Sequence, residues 1–108
     1  MSVLSPTDER VVGRFVARAR DIFRERLVRA LLFGSKARGD ADEASDIDVL
    51  LVVEGLRSED QRMASLAAWQ AGIRDNAVIC AVCYSADEFE EQRRLPFLAT
   101  ALKEGIHL

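Results

Sequence analysis

Two short, almost unbroken apolar runs constrain the fold of this chain more than any other feature. They occupy residues 28–33 and 46–53, and a polar stretch separates them. Runs of this length and apolarity are typical of strands that are covered on both faces. A third such run follows at residues 77–84. We therefore expect a small β-sheet with helices packed against it.

Helical patterns fill most of the space around these runs. Ser5 and Pro6 form a helix start, and apolar residues then recur at spacings of three and four up to about Arg26. A short helix is expected from Ser35 to before Gly39. Two capping-box patterns and a proline predict three later helices, which begin near residues 58, 85 and 96.

The first of these three helices, which begins near residue 58, has an apolar pattern that predicts its buried side. We expect Leu66, Trp69 and Ile73 to face the core, and we interpret Trp69 as a core residue rather than a platform for a stacked base. Its capping box is assigned to residues 58–61. Residues 106–108 could add a short edge strand, so the expected order is α-β-α-β-α-β-α-α-β.

Composition and length restrict the class of protein. The 108 residues suffice for one domain, 1–108, with an α/β (α+β) fold built on a small mixed sheet of three to four strands. The formal charge of -3 gives no general attraction to nucleic acid or to a membrane surface. The N-terminus lacks the pattern of a signal peptide, and no apolar run approaches the ~20 residues of a membrane helix. We expect a cytoplasmic protein.

The chain has two cysteines, Cys80 and Cys83, within the third strand-like run. Residues three apart on a strand point to opposite faces, so the pair is not expected to act as a redox motif. One pair also cannot complete a four-ligand zinc site. We interpret both as buried thiols with no shared role.

Asp46 and Asp48 open the second strand and are the main candidates for chemistry. Residues i and i+2 of a strand share a face, roughly 6.5–7 Å apart, so both carboxylates can converge on a hard cation. Mg²⁺ prefers a few carboxylates together with water and phosphate oxygens. The alternative is a pair of solvated acids beside a loop.

The Gly34-Ser35 turn that follows the first strand suits a phosphate. Glycine permits close approach, and the Ser35 hydroxyl and free backbone N–H groups can donate to phosphate oxygens. Lys36 and Arg38 in the same loop could meet phosphate charge. The alternatives are an ordinary strand–turn–helix connection and solvated surface bases. The turn combined with the paired acids predicts a site for a metal–nucleotide complex.

The combined motif resembles the signature of the DNA polymerase β-type nucleotidyltransferase superfamily. The motif comprises GSKARG at residues 34–39, Ala41, and SDID at residues 45–48. The chain is most similar to the minimal branch, the MNT or MntA-like proteins, and residues 84–89 and 102–106 resemble downstream segments of that branch.

The resemblance implies a nucleotidyltransferase fold and a Mg²⁺-dependent enzyme with a two-ion site. Asp46 and Asp48 would be catalytic and would bind metal, while Gly34, Ser35, Lys36 and Arg38 would bind ATP or another nucleoside triphosphate. It further implies an antitoxin that works beside a HEPN-domain toxin and transfers AMP to it.

One feature departs from the family pattern. The family places a third acid on the third strand, and Cys80 stands at that position here. A thiol is a poor Mg²⁺ ligand. Asp75, Asp87 and Glu88 are less favoured substitutes. The alternative function is therefore a catalytically degenerate protein that acts by binding its partner; a transferase acting on a small molecule is a weaker third reading.

Overall fold

A computed structural model of the protein describes residues 4–42 and 45–108. Helix α1, Pro6–Phe23, begins as predicted, because the backbone N–H of Asp8 donates to the Ser5 hydroxyl at 3.1 Å. The helix ends at Arg24, which adopts a positive φ of 52°. A 3₁₀ turn over Arg24–Arg26 then leads into the first strand.

Within the described residues, four strands form one mixed sheet: β1, Leu27–Phe33; β2, Ile47–Val53; β3, Ile79–Ser85; and β4, Ile106–His107. Their spatial order is β3-β2-β1-β4, with β1 antiparallel to both β2 and β4, and β2 parallel to β3. The predicted fold class and the predicted final edge strand are both confirmed.

In the same described ranges, four further helices connect and flank the strands. They are α2, Ser35–Arg38; α3, Ser58–Gly72; α4, Ala86–Gln92; and α5, Pro96–Glu104. A 3₁₀ turn, Ile73–Asp75, follows α3. The order of elements therefore matches the predicted one. In the part of the chain that the structure describes, no helix is both long and apolar enough to cross a membrane.

Helices cover both faces of the sheet, as the unbroken apolar runs predicted. On one side, the α1/α3 face, alternate strand residues such as Leu32, Val49 and Leu51 pack against α1 and α3. On the other, the α4/α5 face, the core contains Leu31, Leu50, Val52, Phe89, Leu98 and Ala101. Full burial of such side chains contributes roughly 1.5–3 kcal/mol each, so these two layers supply most of the stabilisation of the sheet.

The buried side of α3 was predicted wrongly. Leu66, Trp69 and Ile73 are 55%, 61% and 52% exposed. The side that packs on α1 and the sheet is made of alanines instead: Ala64, Ala67, Ala68 and Ala71. Small side chains allow this helix to lie close to its neighbours, and near its end a Cβ on Gly72 would overlap the Ala77 carbonyl. Close packing therefore turns the larger apolar side chains outward.

The start of α3 also differs from the prediction by one residue. The cap is formed by Arg57, whose backbone N–H donates to Asp60 Oδ2 at 2.8 Å. Gln61, predicted to close the capping box, contacts the edge strand β3 instead. Its side chain donates to the Ala81 carbonyl and accepts from the Cys83 N–H, each at 2.9 Å. Gln61 thereby satisfies backbone groups that an edge strand leaves unpaired.

Candidate functional site

The Gly34 turn joins β1 to α2 at the end of the sheet where β2 begins. Gly34 has a φ of 76°, which favours glycine because it lacks a Cβ. A Cβ at this position would also overlap the Oδ2 atom of Asp48. Two independent constraints therefore require glycine here, and they place the turn directly against one of the predicted metal ligands.

Asp46 and Asp48 lie on the α4/α5 face of the sheet. Ile47, which lies between them in the sequence, and Val49, which follows them, are buried in the core of the opposite face. Asp46 is exposed and Asp48 is half-buried. Burial raises the pKa of Asp48, and the nearby charge of Asp46 raises it further. Two carboxylates held this close repel each other unless a cation lies between them.

Cys80 completes the row on the neighbouring strand. It pairs with Asp48 in the β2–β3 register, and its Sγ lies 3.6 Å from Asp46 Oδ2. Burial raises the pKa of Cys80, and Asp46 adds to that shift, so the thiol stays protonated at neutral pH. Cys80 is exposed, which contradicts its interpretation as a buried thiol.

Cys83 points to the other face, as predicted, and packs against the α1/α3 core. Burial raises its pKa to about 11. The two thiols lie on opposite faces of the sheet, because residues that are three apart on a strand point in opposite directions. Cys80 therefore belongs to the candidate site, whereas Cys83 belongs to the core.

The two basic residues that were predicted to meet phosphate charge lie in different environments. Lys36 is buried, and its Nζ donates to Asp8 Oδ2 at 2.7 Å. Arg38 is partly exposed, donates from Nε to Asp40 at 3.1 Å, and approaches Glu104 at 3.6 Å. Only Arg38 lines the same cleft as Gly34. Asp8 lies in the first turn of α1, and nothing in the sequence signalled its contact with Lys36.

Two cavities flank this row of residues. One, of about 550 Å³, is lined by Asp46, Lys36 and Asp8 among others. The second, of about 420 Å³, opens beside Gly34 between the end of β1 and α5. Its lining includes α5 residues that the sequence did not assign to a site: Pro96, Phe97, Thr100, Ala101 and Glu104.

Two of the three acids considered as substitutes for a third carboxylate, Asp75 and Glu88, are held by other partners. Asp75 forms an ion pair with Arg14, and Glu88 accepts from the Ser85 N–H at 3.2 Å in the capping box that was predicted. Across residues 4–42 and 45–108, no cluster of three or more acidic, histidine or cysteine side chains could by itself hold a metal ion.

The donor set nevertheless fits a magnesium ion that arrives with a nucleotide. Mg²⁺ keeps several waters and is usually bound through one or two carboxylates plus substrate phosphates. Asp46 and Asp48 supply two carboxylates on one face, and the missing Cβ of Gly34 allows the Asp48 carboxylate to lie directly against the turn. The site is thus suited to a shared metal rather than to a cation held by protein alone.

Two solved structures share this fold. A crystal structure of a toxin–antitoxin with AMP-PNP aligns with a TM-score of 0.56 at 16% identity, covering 86% of this chain and 68% of that one. A candidate nucleotidyltransferase from Sulfolobus solfataricus, solved at 1.40 Å, aligns with a TM-score of 0.52 at 20% identity, covering 96% and 86%. At such identities the likeness shows the fold alone.

Sequence comparison gives the family. Two proteins of Methanocaldococcus jannaschii, both named as candidate protein adenylyltransferases, are similar to this chain. MJ0604 is 31% identical over 98 residues, 91% of this chain and 94% of the relative. MJ0141 is 38% identical over 60 residues, 54% of this chain and 61% of the relative. Residues 16–104 match the nucleotidyltransferase domain, and the chain therefore belongs to the nucleotidyltransferase family.

Proposed function

We propose that this protein is a Mg²⁺-dependent adenylyltransferase that transfers AMP from ATP to a hydroxyl of a partner toxin. The observation that carries the proposal is the placement of Asp46, Asp48 and Gly34 together at one open end of the sheet. Paired carboxylates beside a phosphate-sized turn are the features that transfer of a nucleotidyl group needs.

Each residue of the site has a distinct role in the proposed reaction. Asp46 and Asp48 would hold the magnesium ions, which when bound neutralise phosphate charge and orient the α-phosphate. Gly34 and Ser35 would contact the triphosphate through backbone N–H groups and the hydroxyl. Arg38 would add a positive charge at the same cleft. Lys36, whose charge is paired with that of Asp8, would hold α2 in place.

The transfer forms one bond and breaks one. The acceptor hydroxyl oxygen bonds to the α-phosphorus, the bond from that phosphorus to the bridging oxygen of the β-phosphate breaks, and pyrophosphate leaves. The hydroxyl proton must be accepted by another group. Cys80 cannot accept it, because its thiol is already protonated, so solvent would take it. Loss of a positioned base typically costs ~10²–10⁴-fold in rate, and we expect a slow enzyme.

The nature of the acceptor is supported by the comparisons. The relatives are named for adenylyl transfer to protein, and a protein of the same fold was crystallised as a toxin–antitoxin with AMP-PNP. We propose that this chain likewise acts as the antitoxin of a pair, that its partner is a HEPN-domain toxin, and that both work in the cytoplasm.

A labelling experiment tests this function. The protein would be incubated with Mg²⁺, ATP labelled at the α-phosphate, and the product of the adjacent gene. We expect label on the partner, little or none with Asp48→Asn, and unchanged labelling with Asp21→Asn, an exposed acid on α1 away from the candidate site. Labelling that persists in the Asp48 variant would contradict the assignment.

Cys80 favours a second candidate function. With only two carboxylates in the row, the protein would bind nucleotide and neutralise its partner by association alone. In that case the partner would be bound and inhibited without acquiring label, and Asp48→Asn would inhibit it as well as the parent does. The same experiment therefore separates the two functions.

A further inference from the structure

The cleft between the end of β1 and helix α5 has an aromatic wall next to the nucleotide site. We call it the Phe33–Phe97 cleft. Phe33 lies opposite Asp48 in the β1–β2 register, so the cleft begins one strand away from the paired acids. Gly34 lines the cleft and also touches Asp48, and thus connects the two. Its volume of about 420 Å³ is within the range of small-molecule sites.

Phe97 is placed for contact with a ligand rather than for packing. Its neighbour Leu98 is the residue of α5 that is fully buried in the core, whereas Phe97 is 49% exposed. The Phe97 ring still has a defined position, because it meets Phe33 edge-to-face with centroids 5.5 Å apart and planes at 89°. Such a pair presents a fixed, half-exposed ring at low entropic cost when a planar ligand stacks on it.

The opposite end of the cleft carries an acceptor without a hydrogen bond. Glu104 Oε2 is buried and has no hydrogen-bond partner, and the Arg38 guanidinium is 3.6 Å away, beyond hydrogen-bond distance. A carboxylate in the last turn of a helix is also electrostatically unfavourable. Glu104 thus forms an ion pair with Arg38, but its buried Oε2 still lacks a hydrogen-bond donor, and such an oxygen indicates room for one.

Thr100 lies between these two features on the same side of α5. Residues 97, 100 and 104 follow the three- and four-residue spacing that aligns side chains on a helix. The cleft thus presents, in order, an aromatic ring, a hydroxyl and an acceptor. A planar heterocycle with an exocyclic amino group matches that order.

We propose that this cleft binds the nucleobase of the triphosphate, and that the base is adenine. The base stacks on Phe97, its 6-amino group donates to Glu104, and the ribose passes over Gly34 toward the phosphates. This inference rests on the proposed function, because it takes the phosphates to lie at Gly34 and Ser35. Beyond that function, the inference assigns selectivity for the base to Phe97 and Glu104.

Binding measurements on four ligands test the inference. The ligands are ATP, ITP and inorganic tripolyphosphate, each with Mg²⁺, and Mg²⁺ alone. ITP replaces the 6-amino donor of adenine by a carbonyl. We expect the parent to prefer ATP over ITP, and Glu104→Gln, which can donate to that carbonyl, to lose most of the preference. Phe97→Ala should weaken ATP binding roughly 5- to 100-fold, since base stacking on an aromatic side chain has about that effect.

The controls separate failure of this inference from failure of the proposed function. Leu95→Ala removes a similarly exposed apolar side chain outside the cleft and should leave ATP binding unchanged. Tripolyphosphate should bind the parent and Phe97→Ala equally. If ATP binds but neither Phe97→Ala nor Glu104→Gln changes its affinity or selectivity, the cleft is not the base site. If neither ATP nor tripolyphosphate binds the parent, the nucleotide site itself is wrong.

Discussion

At the scale of single residues, our proposal of a slow adenylyltransferase depends most on Cys80. It is on the same face as Asp46 and Asp48, it is exposed, and it is in contact with Asp46. The resemblance predicts an acid at this position, and the sequence has a thiol there. The structure adds that this position points toward the paired carboxylates rather than into the core.

Replacement of Cys80 by aspartate should therefore strengthen the site. Without metal, Cys80→Asp should lower the melting temperature slightly, because a third carboxylate is repelled by the other two. With Mg²⁺ the stability should recover, and AMP transfer to the partner should rise by ~10²-fold or more, since the new carboxylate can accept the hydroxyl proton. Thermal melts with and without Mg²⁺, and labelled transfer, measure both effects.

Cys83→Asp is the matched control. Its side chain lies in the core of the opposite face, so an unpaired carboxylate there should destabilise the protein without any recovery in Mg²⁺. A Cys80→Asp variant that behaves like Cys83→Asp, destabilised and unresponsive to Mg²⁺, would refute the interpretation of Cys80 as the position of the third acid.

At the scale of elements, the ion pair between Asp60 and Arg26 attaches α3 to the 3₁₀ turn that precedes β1. Asp60 is almost fully buried and accepts from Arg26 at 2.9 Å and from the Arg57 N–H at 2.8 Å. The Arg26 hydrogen bond lowers the pKa of Asp60 below its ordinary value. The native state therefore binds fewer protons at this residue than the unfolded state does.

The stabilisation from Asp60 should depend on acid pH. It is fully present above the unfolded pKa of about 3.9 and is lost as the pH falls through the lower pKa of the folded state. Asp60→Asn should lower the free energy of unfolding at pH 7 by about 1–3 kcal/mol. It should also flatten the decline of stability in acid. Urea unfolding from pH 7 to pH 2.5 measures both, with Glu59→Gln, an exposed neighbour, as the control. An unchanged acid decline would contradict the role of the pair.

The exposure of Trp69 shows why helical periodicity alone predicted the wrong buried side of α3. Helical spacing groups Leu66, Trp69 and Ile73 on one side, but it groups the alanines on the other side equally well, and the sequence does not say which side packs. Close contact with α1 selects the alanines. The starts of α1 and α4, in contrast, were predictable because capping depends on local hydrogen bonds.

The exposure of Trp69 is directly measurable, because it is the only tryptophan in the chain. We expect native fluorescence with the red-shifted emission of an indole in water, and efficient quenching by acrylamide. Trp69→Ala should change the free energy of unfolding by no more than about 0.5 kcal/mol, as for other surface substitutions. Blue-shifted, poorly quenched emission that persists on dilution would place the ring in a buried environment.

At the scale of the whole molecule, the sheet topology brings distant residues to one site. The turn at Gly34 and the acids that open β2 meet because β1 and β2 are antiparallel neighbours, and Cys80 joins them because β3 lies parallel to β2. The motif spacing predicted that the Gly34 turn and the two acids would lie close together. The placement of Phe97 and Glu104 beside Gly34 could not be predicted, because it depends on where α5 packs, and the sequence predicted only that a helix begins near Pro96.

The central claim is that Asp46 and Asp48 form the metal–nucleotide site, and calorimetry with ATP and Mg²⁺ tests it most directly. The parent protein should bind ATP in the presence of Mg²⁺ and lose most of that binding when Mg²⁺ is withheld. The double variant Asp46→Asn with Asp48→Asn should melt at an equal or higher temperature than the parent in the absence of metal, because like-charge repulsion is removed, yet it should fail to bind. A folded double variant that binds Mg²⁺–ATP as tightly as the parent would contradict the account.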